Sequence, residues 1–241
     1  MLTLILAALF ITEPTPATAE PTKPTPPKDA TVLDSGSWTL RVAGDPESEL
    51  ETRKGPEGPL YTAGPVLTDT KLPVGYPAPT PPGAIELKHY ASVRRAEYTS
   101  EGTGAWQSIR GFWPLFQHIQ RNDIAMTAPV EMETADTNDD GDPDQSTMTF
   151  LYHTTDDGPT GTDGDIIITD TDPQTWLSIG VQGRITRQSW FELEKQLNDW
   201  LRTQSDWQSV GTPRTLGYNG PNIPARNQWW EFQIQVIPAT D

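Results

Sequence analysis

From Gly83 onward the chain alternates apolar and polar residues in short runs separated by turn-forming segments, and this pattern predicts most of its elements. The stretch "AIELKHYASVRRAEYTS" carries Ile, Val and Tyr at pleat-compatible positions, which fits two strands or one long bent strand. In "GFWPLFQHIQR" the period changes. Phe112, Leu115 or Phe116, and Ile119 form one stripe of a helix, with Pro114 suited to its first position because the missing N–H is unpaired there in any case. His118 is expected to point away from that stripe. "IAMTAPVEMET" then reads as a strand and "STMTFLYHT" as its antiparallel partner across an acidic loop.

The second half repeats this order. "WLSIGVQGRIT" alternates Leu177, Ile179 and Val181 on one face, and "QSWFELEKQLNDWLRTQ" spaces Trp190, Leu193, Leu197, Trp200 and Leu201 as a helix. Ser189 and Glu192 fit a capping box at its start. "PRTLGYNG" and "WWEFQIQVI" follow as strands. Strand, helix and strand pair thus occur twice. The expected fold is α+β: duplicated βαββ units forming one curved or barrel-like antiparallel sheet covered by two helices.

Upstream of Gly83 the pattern is weaker. Residues 1–19 hold an apolar run from Leu2 to Ile11 and end in Ala17-Thr18-Ala19. A mature membrane helix needs about 20 apolar residues, so this run reads better as a signal peptide, with a short membrane anchor as the competing reading. The expected location is periplasmic or extracellular, with no stable membrane span after signal cleavage. Residues 20–36 are rich in Pro and Thr and read as a disordered linker. Residues 37–82 read as a mostly irregular lead-in to a domain at 83–238, with one strand in "SWTLRVAG".

Composition narrows the function. A formal charge of −16 over 241 residues, without a dense basic patch, argues against a nucleic-acid partner. The absence of Cys removes disulfides and thiolate metal sites. No Ser, His and acid set is spaced as a triad, and no zinc-protease or phosphate-loop motif occurs, so a non-enzymatic protein is expected. The acidic loop does contain Asp136, Asn138 and Asp140 followed by Gly141, with Asp142 and Asp144 beyond, which matches the first half of a calcium loop. Thr147 stands where such a loop ends in Glu. The readings are a weak calcium site or a solvated hairpin tip. The first would suit a calcium-responsive envelope interaction module.

Four segments together, "IELKHYASVRRAEY", "GFWPLFQHIQRNDIAMTAPVEM", "TMTFLYH" and "GYNGPNIPARNQWWEFQIQV", resemble the SOUL haem-binding family from roughly Gly83 to Val236. The most specific feature is an aromatic-rich helix followed closely by "MTAPV". The resemblance implies a distorted antiparallel barrel with two helices, kinship with the effector-binding domains of drug-responsive regulators, and binding of haem or a related tetrapyrrole without a known reaction. The same fold binding another amphipathic small molecule is the alternative.

Haem requires an apolar slot, a polar or cationic rim for its propionates and, in some proteins, an axial ligand. Candidate ligand-binding residues are Met126, His89, His118 and His153, with Lys88 and Arg94 as a basic rim. For "MTAPV" itself a structural role comes first and pocket lining second, since Pro129 cannot donate to a ladder and belongs at an edge, a bulge or a strand end.

Overall fold

The structure, a computed structural model, describes residues 25–102, 105–135 and 144–239. Its elements in chain order are β1 (Thr31–Val32), β2 (Trp38–Gly44), β3 (Glu51–Lys54), β4 (Pro59–Ala63), β5 (Val66–Leu67), β6 (Ala84–Tyr90), β7 (Arg94–Glu101), α1 (Ala105–Arg121), β8 (Val130–Ala135) and β9 (Gln145–Leu151). The second half comprises β10 (Gly161–Asp163), β11 (Ile166–Asp170), β12 (Gln174–Gln182), α2 (Arg187–Leu201), β13 (Trp207–Gly217), a 3₁₀ turn (Ala225–Asn227) and β14 (Trp229–Pro238).

Eleven strands form one antiparallel sheet in the order β1-β2-β6-β12-β14-β13-β8-β9-β7-β11-β10. The order contains the duplication. Each βαββ unit contributes three strands, β12-β14-β13 and β7-β9-β8, and the two triplets meet back to back along β13 and β8, where Gly217 pairs with Val130 and Arg214 with Glu133. The strand preceding each unit crosses to the other: β6 lies beside β12, and β11 beside β7.

Both helices lie on one face. α1 packs on β7 and β9 through Leu115 and Ile119, above Ala96, Met148 and Phe150. α2 packs on β12, β14 and β13 through Leu193 and Leu197, above Leu177, Ile179, Phe232 and Ile234. Alternation of side chains along a strand turns the intervening residues to the opposite face.

That face is covered by the lead-in. Ala63, Val66, Leu72 and Tyr76 form a core there with Tyr90, Trp176, Leu216, Tyr218 and Trp229. β2, the strand expected in "SWTLRVAG", pairs with β6; beyond it the lead-in is more regular than its Pro and Gly content suggests, because β3, β4 and β5 make a small sheet and β1, within the stretch read as linker, pairs with β2. Pairing to a strand already present satisfies backbone groups that a local propensity reading leaves open.

Three local expectations change. α1 starts at Ala105, so Pro114 lies in the helix interior and not at its first position. The α2 cap is Thr186, whose hydroxyl accepts from the Ser189 N–H while the Ser189 hydroxyl accepts from the Thr186 N–H; Ser189 is the third helical residue of the box, and Glu192 has no part in it. Finally, Met126–Pro129 is not strand. β8 begins only at Val130, after a cis Ala128–Pro129 bond.

Candidate functional site

Between the two helices the sheet is left uncovered along β8 and the Thr215–Gly217 end of β13, and a groove runs there. Its more apolar part, about 610 Å³, is lined by Phe112, Trp113 and Phe116 of α1, Met126 to Ala128 of the loop between α1 and β8, Met132, Met148 and Trp230. It continues into a second part of about 710 Å³ that shares Met132, Met148 and Trp230 and ends at Arg184, Ile185 and Trp190. Ligand pockets of roughly 300–1,000 Å³ lined mainly by apolar and aromatic groups are the common kind.

The sequence builds each wall by a local device. On α1, the Phe112 and Phe116 rings stack at 5.5 Å, and Trp113, 54% exposed, meets Phe116 edge-on at 5.9 Å. The helix settles onto β9 because Gly111 has no side chain: a Cβ there would lie 3.0 Å from the Met148 Cβ. On the floor, the Trp230 indole lies across its cross-strand partner Gly217, where a Cβ would meet the ring at 3.0 Å. The "MTAPV" segment is clamped on both sides. Thr127 donates its hydroxyl to Leu151 O at 2.5 Å, and the Ala128 N–H donates to Lys71 O at 2.8 Å. Met126 is thereby held at the groove wall, half-buried.

Charge is sparse. Asp69 lines the apolar part, and its carboxylate accepts from the Gly220 N–H at 3.1 Å; Glu133 and Arg184 line the second part, Arg184 at its far end and exposed.

Of the six residues singled out for ligand binding, the structure places only Met126 in this groove. His89 is fully buried on β6, stacked on Trp38 at 5.6 Å, with Nδ1 3.0 Å from the Thr175 hydroxyl. His118 does not point away from the apolar stripe. It sits three residues after Leu115, about 60° around the helix from it, and is 4% exposed. Its Nδ1 lies 2.6 Å from Asp163 and its Nε2 2.7 Å from the Tyr152 hydroxyl. The hydrogen bond from His118, and then that from Arg121, hold the Asp163 carboxyl below the usual carboxylate range, while burial pushes the Tyr152 phenol up to about 12. His153 is half-buried beside Leu72 O.

The expected basic rim is not assembled. Arg94 is paired with Asp170 at 2.7 and 2.8 Å and also donates to Gly158 O. Lys88 is fully buried on the helix-free face, donating to Glu231 at 2.8 Å and to Ala78 O at 2.7 Å. Glu231, itself 0% exposed, also accepts from the Thr80 N–H, the Ser178 and Tyr218 hydroxyls and Gln233. Burial raises the Glu231 carboxyl, but Lys88, then Ser178 and Tyr218, outweigh it and leave the pKa below the ordinary value. Nearby, Arg214 lies 3.9 Å above the Trp176 ring and donates to Glu131 at 3.0 Å. These charges are paired within the protein and serve the core.

Of the calcium-loop residues, Asp136, Asn138, Asp140 and Asp142 lie outside the described residues. Asp144 is described, at the hairpin base, where its N–H donates to Ala135 O at 2.9 Å. Among the described residues no group of three or more His, Cys, Asp or Glu is arranged to hold a metal. No described helix is long and apolar enough to cross a membrane.

Sequence reasoning missed Met132, Trp113, Arg184 and the Asn219–Pro221 turn. A usable signal existed for Met132, because it alternates with Val130 and so shares a face with it.

Comparison with known proteins agrees with this architecture. The structure is similar to the crystal structure of the EcmrR C-terminal domain, with a TM-score of 0.52 and 14% identity over 64% of this chain and 96% of that one. It is also similar to EcmrR in a cryo-EM structure of an EcmrR–DNA complex, with a TM-score of 0.50 and 15% identity over 65% of this chain and 57% of that one. A hydrolase from Listeria innocua superposes with a TM-score of 0.48 and 9% identity, over 66% and 94% of the two chains. At such identity the likeness to the EcmrR structures concerns the fold alone. No curated protein matches the sequence at a significant level. The model of the SOUL heme-binding protein family does match, over residues 77–230, a span that contains both helices, the "MTAPV" segment and most of the groove lining; the chain belongs to the SOUL heme-binding protein family.

Proposed function

We propose that the groove between α1 and α2 binds a flat, largely apolar ligand, haem or a related tetrapyrrole first among them, without turning it over. The observation that carries this reading is the lining itself: Phe112, Trp113, Phe116 and Trp230 offer aromatic faces around a slot of about 610 Å³. The donor set suits the group. Met126, Met132 and Met148 present thioethers, and Arg184 offers one cation at the far end. In a bound tetrapyrrole the macrocycle would supply the colour and any redox chemistry, while these residues bind it, orient it and exclude water. One observation favours a second reading, a neutral or cationic amphipathic ligand. Among the described residues, Asp69 is the only charged one lining the apolar part.

An absorbance titration of haemin tests the proposal. Saturable one-to-one binding is expected, weakened at least tenfold in Trp230→Ala and Met126→Ala and unchanged in His89→Ala and His153→Ala. A weak, unsaturable response indifferent to the groove substitutions would overturn the tetrapyrrole reading. We further propose that the chain acts after export, a reading supported by the apolar run Leu2–Ile11 and Ala17-Thr18-Ala19. A secreted or periplasmic product beginning at Glu20 by mass spectrometry is expected; a full-length cytosolic product would overturn it.

A further inference from the structure

The chain contains four methionines and no cysteine, so beyond Met1 its sulfur is confined to Met126, Met132 and Met148. All three line one groove. Met132 and Met148 are direct cross-strand partners of β8 and β9, which sets their side chains on the same face, and opposed Cβ atoms in such a pair lie roughly 4.5–5.5 Å apart. The Met148 sulfur lies beneath Gly111 of α1, the helix that forms one wall. Met126 is fixed near the same strand by the Thr127 to Leu151 and Ala128 to Lys71 hydrogen bonds. Met126 and Met132 are half-buried and reachable from the groove, while Met148, 7% exposed, lies beneath them.

We propose that these three thioethers form a site for a soft monovalent cation, copper(I) or silver(I). Thioether sulfur is a soft donor, and soft ligands select copper(I) over the harder divalent ions. Among the described residues no imidazole lines the groove to favour zinc or copper(II), since His89, His118 and His153 are held elsewhere by Thr175, by Asp163 and Tyr152, and beside Leu72 O. The surroundings favour a cation as well. Asp69 lines the groove, the Trp113 and Trp230 rings supply π faces, and the formal charge of −16 draws cations toward the protein. Binding requires neither deprotonation nor electron transfer, because a thioether coordinates through a lone pair. The site does not depend on the tetrapyrrole reading.

The test is a titration of the full chain, labelled with ¹³C at the methionine methyls, with silver nitrate in chloride-free buffer. The Met126, Met132 and Met148 methyl resonances are expected to shift together and saturate at one equivalent, with zinc producing no such shift. Met132→Leu and Met148→Leu each weaken silver binding at least tenfold while melting within a few degrees of the wild type. Copper(I), kept reduced and presented against a competing chelator, follows the same order. The inference is overturned if no saturable one-equivalent shift occurs, or if the Leu variants bind silver as tightly as the wild type. Should a strand variant fail to fold, Met126→Leu, on a loop, is expected to weaken silver binding by the same factor, and unchanged binding there overturns the site. Haemin titrated separately into the wild type distinguishes the two ideas: silver binding without haemin binding supports the thioether site and removes the tetrapyrrole, and the reverse does the opposite.

Discussion

Replacing Lys88 by Met separates a structural role from a ligand-binding one more cleanly than any other single change. Met matches the aliphatic stem of Lys and keeps the strand, but it leaves the Glu231 carboxylate, 0% exposed, without its cation. Removing one partner of a buried pair costs about 3–5 kcal/mol, because the remaining charge stays desolvated. Glu231 keeps the Ser178 and Tyr218 hydroxyls, the Thr80 N–H and Gln233 as donors, so the lower end, about 3 kcal/mol, is the expected loss. Urea denaturation at pH 7 measures it.

The pH dependence adds a second check. In the wild type the Glu231 carboxyl is held below its ordinary value, so its contribution is present above the unfolded carboxyl range and is lost as pH falls through the folded value. Without Lys88, burial dominates and raises that carboxyl, which favours the folded state as pH falls. The gap between wild type and Lys88→Met therefore narrows on acidification below about pH 5. Haemin affinity per folded molecule stays unchanged, because Lys88 lies on the opposite face of the sheet from the groove. A loss below about 1 kcal/mol, the range of exposed pairs, would refute the reasoning, as would a haemin affinity that falls with Lys88.

Three further outcomes are expected. Thr186→Ala destabilises by about 1 kcal/mol in urea denaturation through loss of the α2 cap, whereas Glu192→Ala, outside the capping box, stays within about 0.5 kcal/mol. Gly217→Val pushes its side chain into the Trp230 ring and lowers haemin affinity at least severalfold in absorbance titration, while Gly211→Ala, at φ +66° and away from the groove, costs stability but leaves the affinity of the folded protein unchanged. Because Asp163 is held below the usual carboxylate range, the stability difference between wild type and Asp163→Asn shrinks as pH falls through the carboxylate range, which thermal melts across pH can follow.

Much of the fold was legible because it is written in short-range periodicity. The alternation of Leu177, Ile179 and Val181 and the helical spacing of Leu193 and Leu197 place those residues on the α2 side, where the structure has them. The family signature was equally legible, since the aromatic helix and "MTAPV" are contiguous. The lead-in was legible only in β2, the strand expected in "SWTLRVAG"; β3, β4 and β5 exist because β4 lies between the other two, a matter of partners and not of propensity. His118 was misplaced because a stripe defined by Leu115 and Ile119 was drawn too narrow for a helix packed against both a sheet and the β10–β11 hairpin.

The candidate site divides in the same way. The sequence by itself determined a duplicated α+β chain, rich in Trp, free of Cys, with an apolar helix leading into Met126. Only the tertiary structure decided that Met126, Met132, Met148 and Trp230 share one groove and that Lys88 belongs to Glu231. Periodicity tells which side of its own element a residue faces. Which sides then meet depends on pairing between remote strands, as when Arg214 of β13 reaches Glu131 of β8 across 83 residues. A buried Lys and a rim Lys look alike in sequence, because the carboxylate and carbonyl that hold Lys88 come from Glu231, 143 residues away, and from Ala78 in the lead-in that covers the sheet.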